Sequence, residues 1–188
     1  EIVKNTQGRF YSYYVAKMLQ RGYDFICCQS AGNGVYKDDK FAYAVDASNN
    51  GTFCPITVDN AIKSVKGVTP QEIVDRIIVV AAAKFNGNNR FEQVEFSNGG
   101  SQVSICAPGY EIYSAYYNGD GNQYNYCSYS YLNGTSMAAP IVTGIASLVW
   151  SVNPSFTGAQ VKHFVCDEEN TKYEVADSSS RLHLPTGT

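Results

Sequence analysis

The sequence predicts an α/β domain with a largely parallel sheet flanked by helices, and three observations carry that reading. Short apolar runs alternate with segments of helical period, the order that folds as strand, crossover helix and parallel strand. Arg76 to Ala82 (RIIVVAA) is apolar without interruption, as a strand covered on both faces requires. Met137 to Asn153 is apolar on nearly every side, which predicts a central, buried helix.

The elements follow in chain order. Phe10 to Arg21 is expected to be a helix, with Phe10, Tyr14 and Met18 at i, i+4 and i+8 on its core-facing side and Gly22 as its stop. Tyr23 to Cys28 is an apolar run expected as a buried strand. It empties into the small-residue loop Ser30-Ala-Gly-Asn-Gly34, and Asn49 to Gly51 marks a further turn. Thr69, Pro70 and Glu72 form a capping-box start for a short helix. After the Arg76 to Ala82 strand come turns at Asn86 to Asn89 and Asn98 to Gly100. Gln102 to Cys106 then alternates as a strand that Ala107-Pro-Gly109 ends. Glu111 to Tyr131 is tyrosine-rich and split by Asn118 to Asn122, the pattern of a hairpin; its tyrosines serve as strand formers or as a recognition surface. Pro140 fits the following helix only within its first turn. Gly144, Ala146 and Ser147 keep that helix slim, and Asn153-Pro154 ends it. Ser155 to Val165 is a second helix capped by Thr157 with Gln160 three residues on. Residues 167–188 read as a polar tail, loosely held beyond Glu174, and no repeat or linker divides the chain into domains.

Composition bounds the function. Hydrophobic residues make up 44% of the 188 and charged residues 16%, enough apolar surface for a real core. The net charge of -3 argues against a nucleic-acid or anionic-membrane partner, which needs clustered Lys and Arg. No run reaches the roughly 18 apolar residues of a membrane span, and the polar Glu1 to Gln7 shows no signal-peptide pattern. Of the six cysteines only Cys27 and Cys28 are close, and strand neighbours point to opposite faces; mostly free, buried thiols are expected, with one or two disulfides as the alternative, and no metal site.

Two short segments carry chemistry. In Asn133-Gly-Thr-Ser-Met-Ala-Ala-Pro140 a serine stands where a loop meets a helix N-terminus, whose free N–H groups and positive dipole end favour a developing negative charge. Ser136 is therefore either a nucleophile, its own N–H an oxyanion donor, or a plain N-cap. In Ala31-Gly-Asn33, at the carboxyl end of a strand, Asn33 either offers its amide to a ligand or serves a turn. Asp120-Gly-Asn122 is too short for a calcium loop, and neither a dinucleotide nor a P-loop fingerprint occurs.

Taken together, these segments resemble the subtilisin-like serine proteases, the subtilases of peptidase family S8. The octapeptide matches the signature around their nucleophile and Ala31-Gly-Asn-Gly34 the segment of their oxyanion asparagine. Phe96-Ser-Asn-Gly-Gly100, Ala107-Pro-Gly109 with Ile112-Tyr-Ser114, Asn153-Pro154 and Gln160-Val-Lys162 match blocks between and after them. The likeness runs from about residue 10 to 166; the insertion Asp46 to Glu72 and the tyrosine hairpin diverge. It implies a partial subtilisin-like fold and a peptide or protein substrate. It further implies Ser136 as nucleophile, Ser136 N–H and the Asn33 amide as oxyanion donors, Ser30, Ala31 and Gly32 as a wall of the substrate pocket, and Asn133 and Thr135 as supports. Calcium enters by the family alone, and no other cofactor is evident. Location is open: the family implies a secreted or cell-envelope protein, the free thiols an intracellular one.

The general base is missing from this pattern. Subtilases order their triad Asp, His, Ser, yet the only histidines are His163 and His183, both after Ser136. The expectation is that this chain is the C-terminal portion of a catalytic domain whose N-terminal portion, with the Asp and His, lies elsewhere, and that it is inactive alone. A catalytically dead binding or structural module is the alternative. A third order, Ser136, then Asp167 or Asp177, then His183, would suit an α/β-hydrolase, but Gly134-Thr-Ser-Met-Ala138 lacks that family's closing glycine. Asn50 and Asn133 head N-x-T sequons; the second is expected to stay unmodified, since a glycan there would block Ser136.

Overall fold

A computed structural model describes residues 2–37, 40–43, 58, 61–87, 91–117, 128–167 and 175–176. The Asn49 to Gly51 turn, most of the 46–72 insertion, the hairpin tip at 118–122, Cys54, Cys127, Asp177 and His183 lie outside these residues.

The apolar run at 76–82 becomes β4 (Ile77–Phe85), the strand on which the sheet is organised. Parallel to it run β1 (Cys27–Ser30) on one edge and β6 (Ile105–Pro108) on the other. Where β1 leaves the sheet, β5 (Phe91–Gln93) takes over the same edge antiparallel to β4, and β9 (Val175–Ala176) adds in parallel to β5. The predicted tail thus contributes a sheet strand. Two antiparallel hairpins stand apart from this sheet, β2 (Val35–Lys37) with β3 (Lys40–Tyr43) and β7 (Ile112–Tyr116) with β8 (Ser128–Leu132).

Helices cover both faces. Alternate β4 residues Ile78, Val80 and Ala82 face α3 (Thr135–Val152) and α4 (Gly158–Cys166) through Ala138, Val142, Ala146, Val161 and Val165. On the other face Ile77 meets Ala16 of α1 (Ile2–Gln20) and Ile73 of α2 (Pro70–Val74). Both capping boxes predicted from sequence form, at Thr69 with Glu72 and at Thr157 with Gln160. Gly22, at φ +82, closes α1: its N–H donates to Leu19 O and the Tyr23 N–H to Met18 O, a pairing that needs a left-handed residue.

Several expectations about faces and ends are corrected. Among the α1 residues whose burial is described, Gly8, Ser12 and Ala16 are buried, whereas Phe10 is 67% and Tyr14 57% exposed. The aromatic stripe has the right period, but the small-residue stripe is the one that lets the helix pack closely. On α3 only one side is buried; Leu148 and Val152 are 70% and 76% exposed. Helix α3 also begins two residues earlier than its apolar run, so Pro140 sits in the second turn and has no N–H to give to Ser136 O. The strands at 23–28 and 102–106 likewise form later, at Cys27–Ser30 and Ile105–Pro108.

Cys27 and Cys28 do face opposite sides, one toward each core cluster. Among the described residues Cys27, Cys28, Cys106 and Cys166 are free. Burial pushes the Cys27 and Cys166 thiols up to about 11 and Cys106 up to about 12, so none supplies much thiolate nucleophile near neutral pH.

One polar junction ties the sheet to α4. Asp24, just before β1, accepts from Arg76 Nε (2.7 Å), Phe25 N (2.8 Å) and Gly158 N at the start of α4 (3.1 Å). A side chain on Gly158 would run into the Phe25 carbonyl, so the close dock requires glycine there. Burial alone would raise the Asp24 carboxyl, but the hydrogen bonds from Arg76, Gly158 and Phe25 and the guanidinium charge outweigh it and hold it below its ordinary value. A carboxylate depressed on folding adds stability that is complete above its unfolded value, about 4, and is lost as pH falls through the folded value. Asp24→Asn is therefore expected to be less stable at neutral pH and to show a shallower loss of stability below about pH 4. Urea melts at a series of pH values read this directly; curves for the two proteins that run parallel through the acid range would rule it out.

Candidate active site

The site forms where two chain segments leave the core at neighbouring points. β1 ends at Ser30, and Ala31 N still donates to Val80 O (2.8 Å) before the chain peels away. Ala31 is buried and packs its side chain against Ala81 and Val103, so only its backbone is left to face outward from the loop. Gly32, at φ +97, turns the chain so that its N–H donates to Thr135 Oγ1 (3.1 Å). From the other side the β7–β8 hairpin delivers the chain into Asn133, Gly134 and the first turn of α3.

Asn33 joins the two segments. Thr135 donates to Asn33 Oδ1 twice, from its backbone N (2.9 Å) and its Oγ1 (2.8 Å). A backbone N–H can only donate, so the atom facing it must be the amide oxygen, and this sets the orientation of the whole amide. Nδ2 is thereby turned toward Gly134: a Cβ on Gly134 would lie 3.2 Å from it and 3.6 Å from Ser136 N. Two N–H donors from segments a hundred residues apart thus flank one point above a residue with no side chain.

The N-cap reading of Ser136 does not hold, because the cap position falls on Gly134, which makes no side-chain cap. Ser136 lies exposed in the first turn of α3. Of that turn's N–H groups, Thr135's goes to Asn33, and those of Met137 and Ala138 to Gly134 O at 3.0 and 3.4 Å. The Ser136 N–H is the one without an acceptor among the described residues, and the helix dipole adds positive potential at the same place.

Asn133 acts at a distance from this pair, its Oδ1 accepting from Glu111 N at 2.6 Å. Ser30 stays in the sheet opposite Val80. His163 is exposed on α4, and no hydrogen bond links it to Ser136. β8, which leads to Ser136, pairs with β7 outside the main sheet, whereas an α/β-hydrolase elbow follows a strand of the sheet itself. That removes the structural basis for the Ser136, Asp167 or Asp177, His183 order. Among the described residues no group of three or more His, Cys, Asp or Glu stands together, so they offer no carboxylate cluster for calcium.

The sequence model of the subtilase family matches residues 3–181. The chain belongs to the subtilase family. Its matches include subtilisin DY of Bacillus licheniformis, 36% identical over 89 residues, covering 47% of this chain and 28% of that protein. A thermostable alkaline protease of Halalkalibacterium halodurans is 40% identical over 86 residues, covering 46% and 20%. The solved structure of sphericase superposes with a TM-score of 0.49 at 20% identity, over 82% of this chain and 52% of that one. The chain spans well under a third of the length of the two curated relatives.

This subtilase holds its Asn33 loop with residues whose sequence pattern marks only a turn. Asn98, 1% exposed, donates from Nδ2 to Ala31 O (3.0 Å) and from its backbone N to Gly32 O (2.9 Å). Ser97 Oγ accepts from Ala82 N (2.9 Å), anchoring the same turn to β4. The signal was present as Phe96 to Gly100, but an asparagine before glycine reads first as a turn residue. Only its burial shows that it braces a neighbouring loop.

Proposed function

We propose that this chain carries the nucleophile and oxyanion hole of a serine endopeptidase. Ser136 Oγ attacks the carbonyl of a peptide bond as its proton passes to a general base, the oxyanion takes hydrogen bonds from Asn33 Nδ2 and Ser136 N–H, and the base returns that proton to the leaving amine, giving an acyl-enzyme that water then hydrolyses. The observation that carries this reading is the pair of donors converging over Gly134 while Thr135 holds the Asn33 oxygen. Membership in the subtilase family supports it. Among the described cysteines, burial raises Cys27, Cys106 and Cys166 well above the ordinary thiol value, which disfavours their thiolates.

The general base comes from polypeptide outside these 188 residues. No histidine precedes Ser136, and the family's triad order puts its base before the serine. The exposed stripe of Ile145, Leu148 and Val152 on α3 supports the same reading, since a helix this apolar is expected to be covered on both sides. Without a base the chain alone is nearly inert.

Fluorophosphonate labelling followed by peptide mapping tests both parts. The full-length protein is expected to label rapidly at Ser136, the 188-residue chain slowly. A full-length protein that folds but resists the probe would make the chain a catalytically dead module. Rapid labelling of the isolated chain would overturn the external base.

A further inference from the structure

The bend between β6 and β7 touches the Ser136 loop at two points. Gly134 N donates to Gly109 O at 2.8 Å, and Glu111 N donates to Asn133 Oδ1 at 2.6 Å. The bend is itself anchored to the sheet, since Gly109 N donates to Ala83 O at 2.9 Å. There is no room between these layers: a Cβ on Gly109 would lie 2.6 Å from Ala82 Cβ and 2.8 Å from Gly134 O, closer than real Cβ contacts come. Glu111 holds φ +52, a left-handed conformation that disfavours a side chain, and its N–H is the one that reaches Asn133.

We propose that Gly109, Glu111 and Asn133 form a positioning latch that sets the height of the Ser136 N–H beside Asn33 Nδ2. The inference rests on the nucleophile reading above and adds residues that touch neither substrate nor reacting atoms. Gly134 is bonded at both ends: its N–H goes to Gly109, and its carbonyl accepts the first helical bonds of α3 from Met137 and Ala138. Moving that carbonyl moves the turn that presents Ser136. Asn133, the residue before Gly134, is tied to the bend through its side-chain oxygen alone, which accepts from Glu111 N, so truncating it releases the loop without opening the core.

The test uses the full-length protein with Gly109→Ala, Gly109→Ala/Ala82→Gly, Asn133→Ala and, as control, Gly144→Ala, which adds a methyl about three turns along α3 from the bend where no atom of this chain lies within 4 Å. Gly109→Ala and Asn133→Ala are expected to lower kcat and the fluorophosphonate rate at Ser136 by about 10–10²-fold, the scale of a small misplacement of catalytic groups, with KM nearly unchanged. Ala82→Gly makes room on the β4 side only. The double variant should regain thermal stability relative to Gly109→Ala yet stay slow, because the clash with Gly134 O remains. Recovery of the wild-type rate by the double variant, or a wild-type rate in Asn133→Ala, would reduce the bend to ordinary packing. Hydrogen exchange at the Gly134 amide separates this from failure of the nucleophile reading. If the wild type never labels, that reading fails, and exchange still decides the latch. Faster exchange in Asn133→Ala than in Gly144→Ala supports it; equal exchange overturns it.

Discussion

Ser136→Ala in the full-length protein is expected to lower peptide hydrolysis on the order of 10⁶-fold, a magnitude taken over from a subtilisin that lost its serine rather than calculated. The unfolding transition should stay within about 0.5 kcal/mol of wild type, as for an ordinary surface substitution. The second half follows from the structure. Ser136 is exposed, and the cap position of α3 belongs to Gly134. Had Ser136 been the cap, its loss would cost about 1 kcal/mol through an unpaired helix N–H. Turnover and urea melts on the same preparations separate the two accounts. Hydrolysis that survives within tenfold would exclude the serine as nucleophile, and a large stability loss would return it to a structural role.

Asn33→Asp is expected to lose roughly 10²–10³ in kcat, the range known for the oxyanion asparagine of a subtilisin and adopted from there. The choice of aspartate over alanine is deliberate. Aspartate keeps an acceptor where Thr135 N and Oγ1 donate to Asn33 Oδ1, so the two loops stay joined. It replaces the Nδ2 donor over Gly134 with an anionic oxygen, which repels the charge that develops there. Asn33→Ala removes both the donor and the bond to Thr135, leaving that N–H unpaired at a cost of about 1–3 kcal/mol. The expected pattern is loss of turnover in both variants but loss of stability chiefly in Asn33→Ala. An Asn33→Asp protein with near-normal kcat would show that the amide serves only to hold the loops together.

The comparison of α1 with α2 shows where sequence reading succeeds. The capping boxes at Thr69 and Thr157 form as read because they depend on residues three apart in the chain. The buried face of α1 was misassigned because periodicity marks candidate faces without saying which neighbour each meets. The stripe of Gly8, Ser12 and Ala16 is buried, and larger aromatics are left outside. The helix through Ser136 was placed too late for a related reason. Gly134 and Thr135 look like loop residues, and it is Asn33, far away in sequence, that satisfies the Thr135 N–H and lets the helix begin there. Asn98 was passed over as a turn residue because its bonds to Ala31 and Gly32 are long-range.

The chain by itself determined the α/β class, the order of its main helices and strands apart from β2, β3, β5 and β9, the octapeptide around Ser136 and the absence of a histidine ahead of it. All of these are properties of local pattern and residue identity. The tertiary structure alone decided that Asn33 presents its nitrogen and not its oxygen above Gly134, that Ser136 stands free of capping, and that Asn98 and Gly109 brace the two loops. The physical reason is common to these outcomes. Which end of an amide is free, and which N–H lacks an acceptor, depends on partners that meet only when segments distant in the chain, 102 residues for Asn33 and Thr135 and 67 for Ala31 and Asn98, are brought to the same end of the sheet.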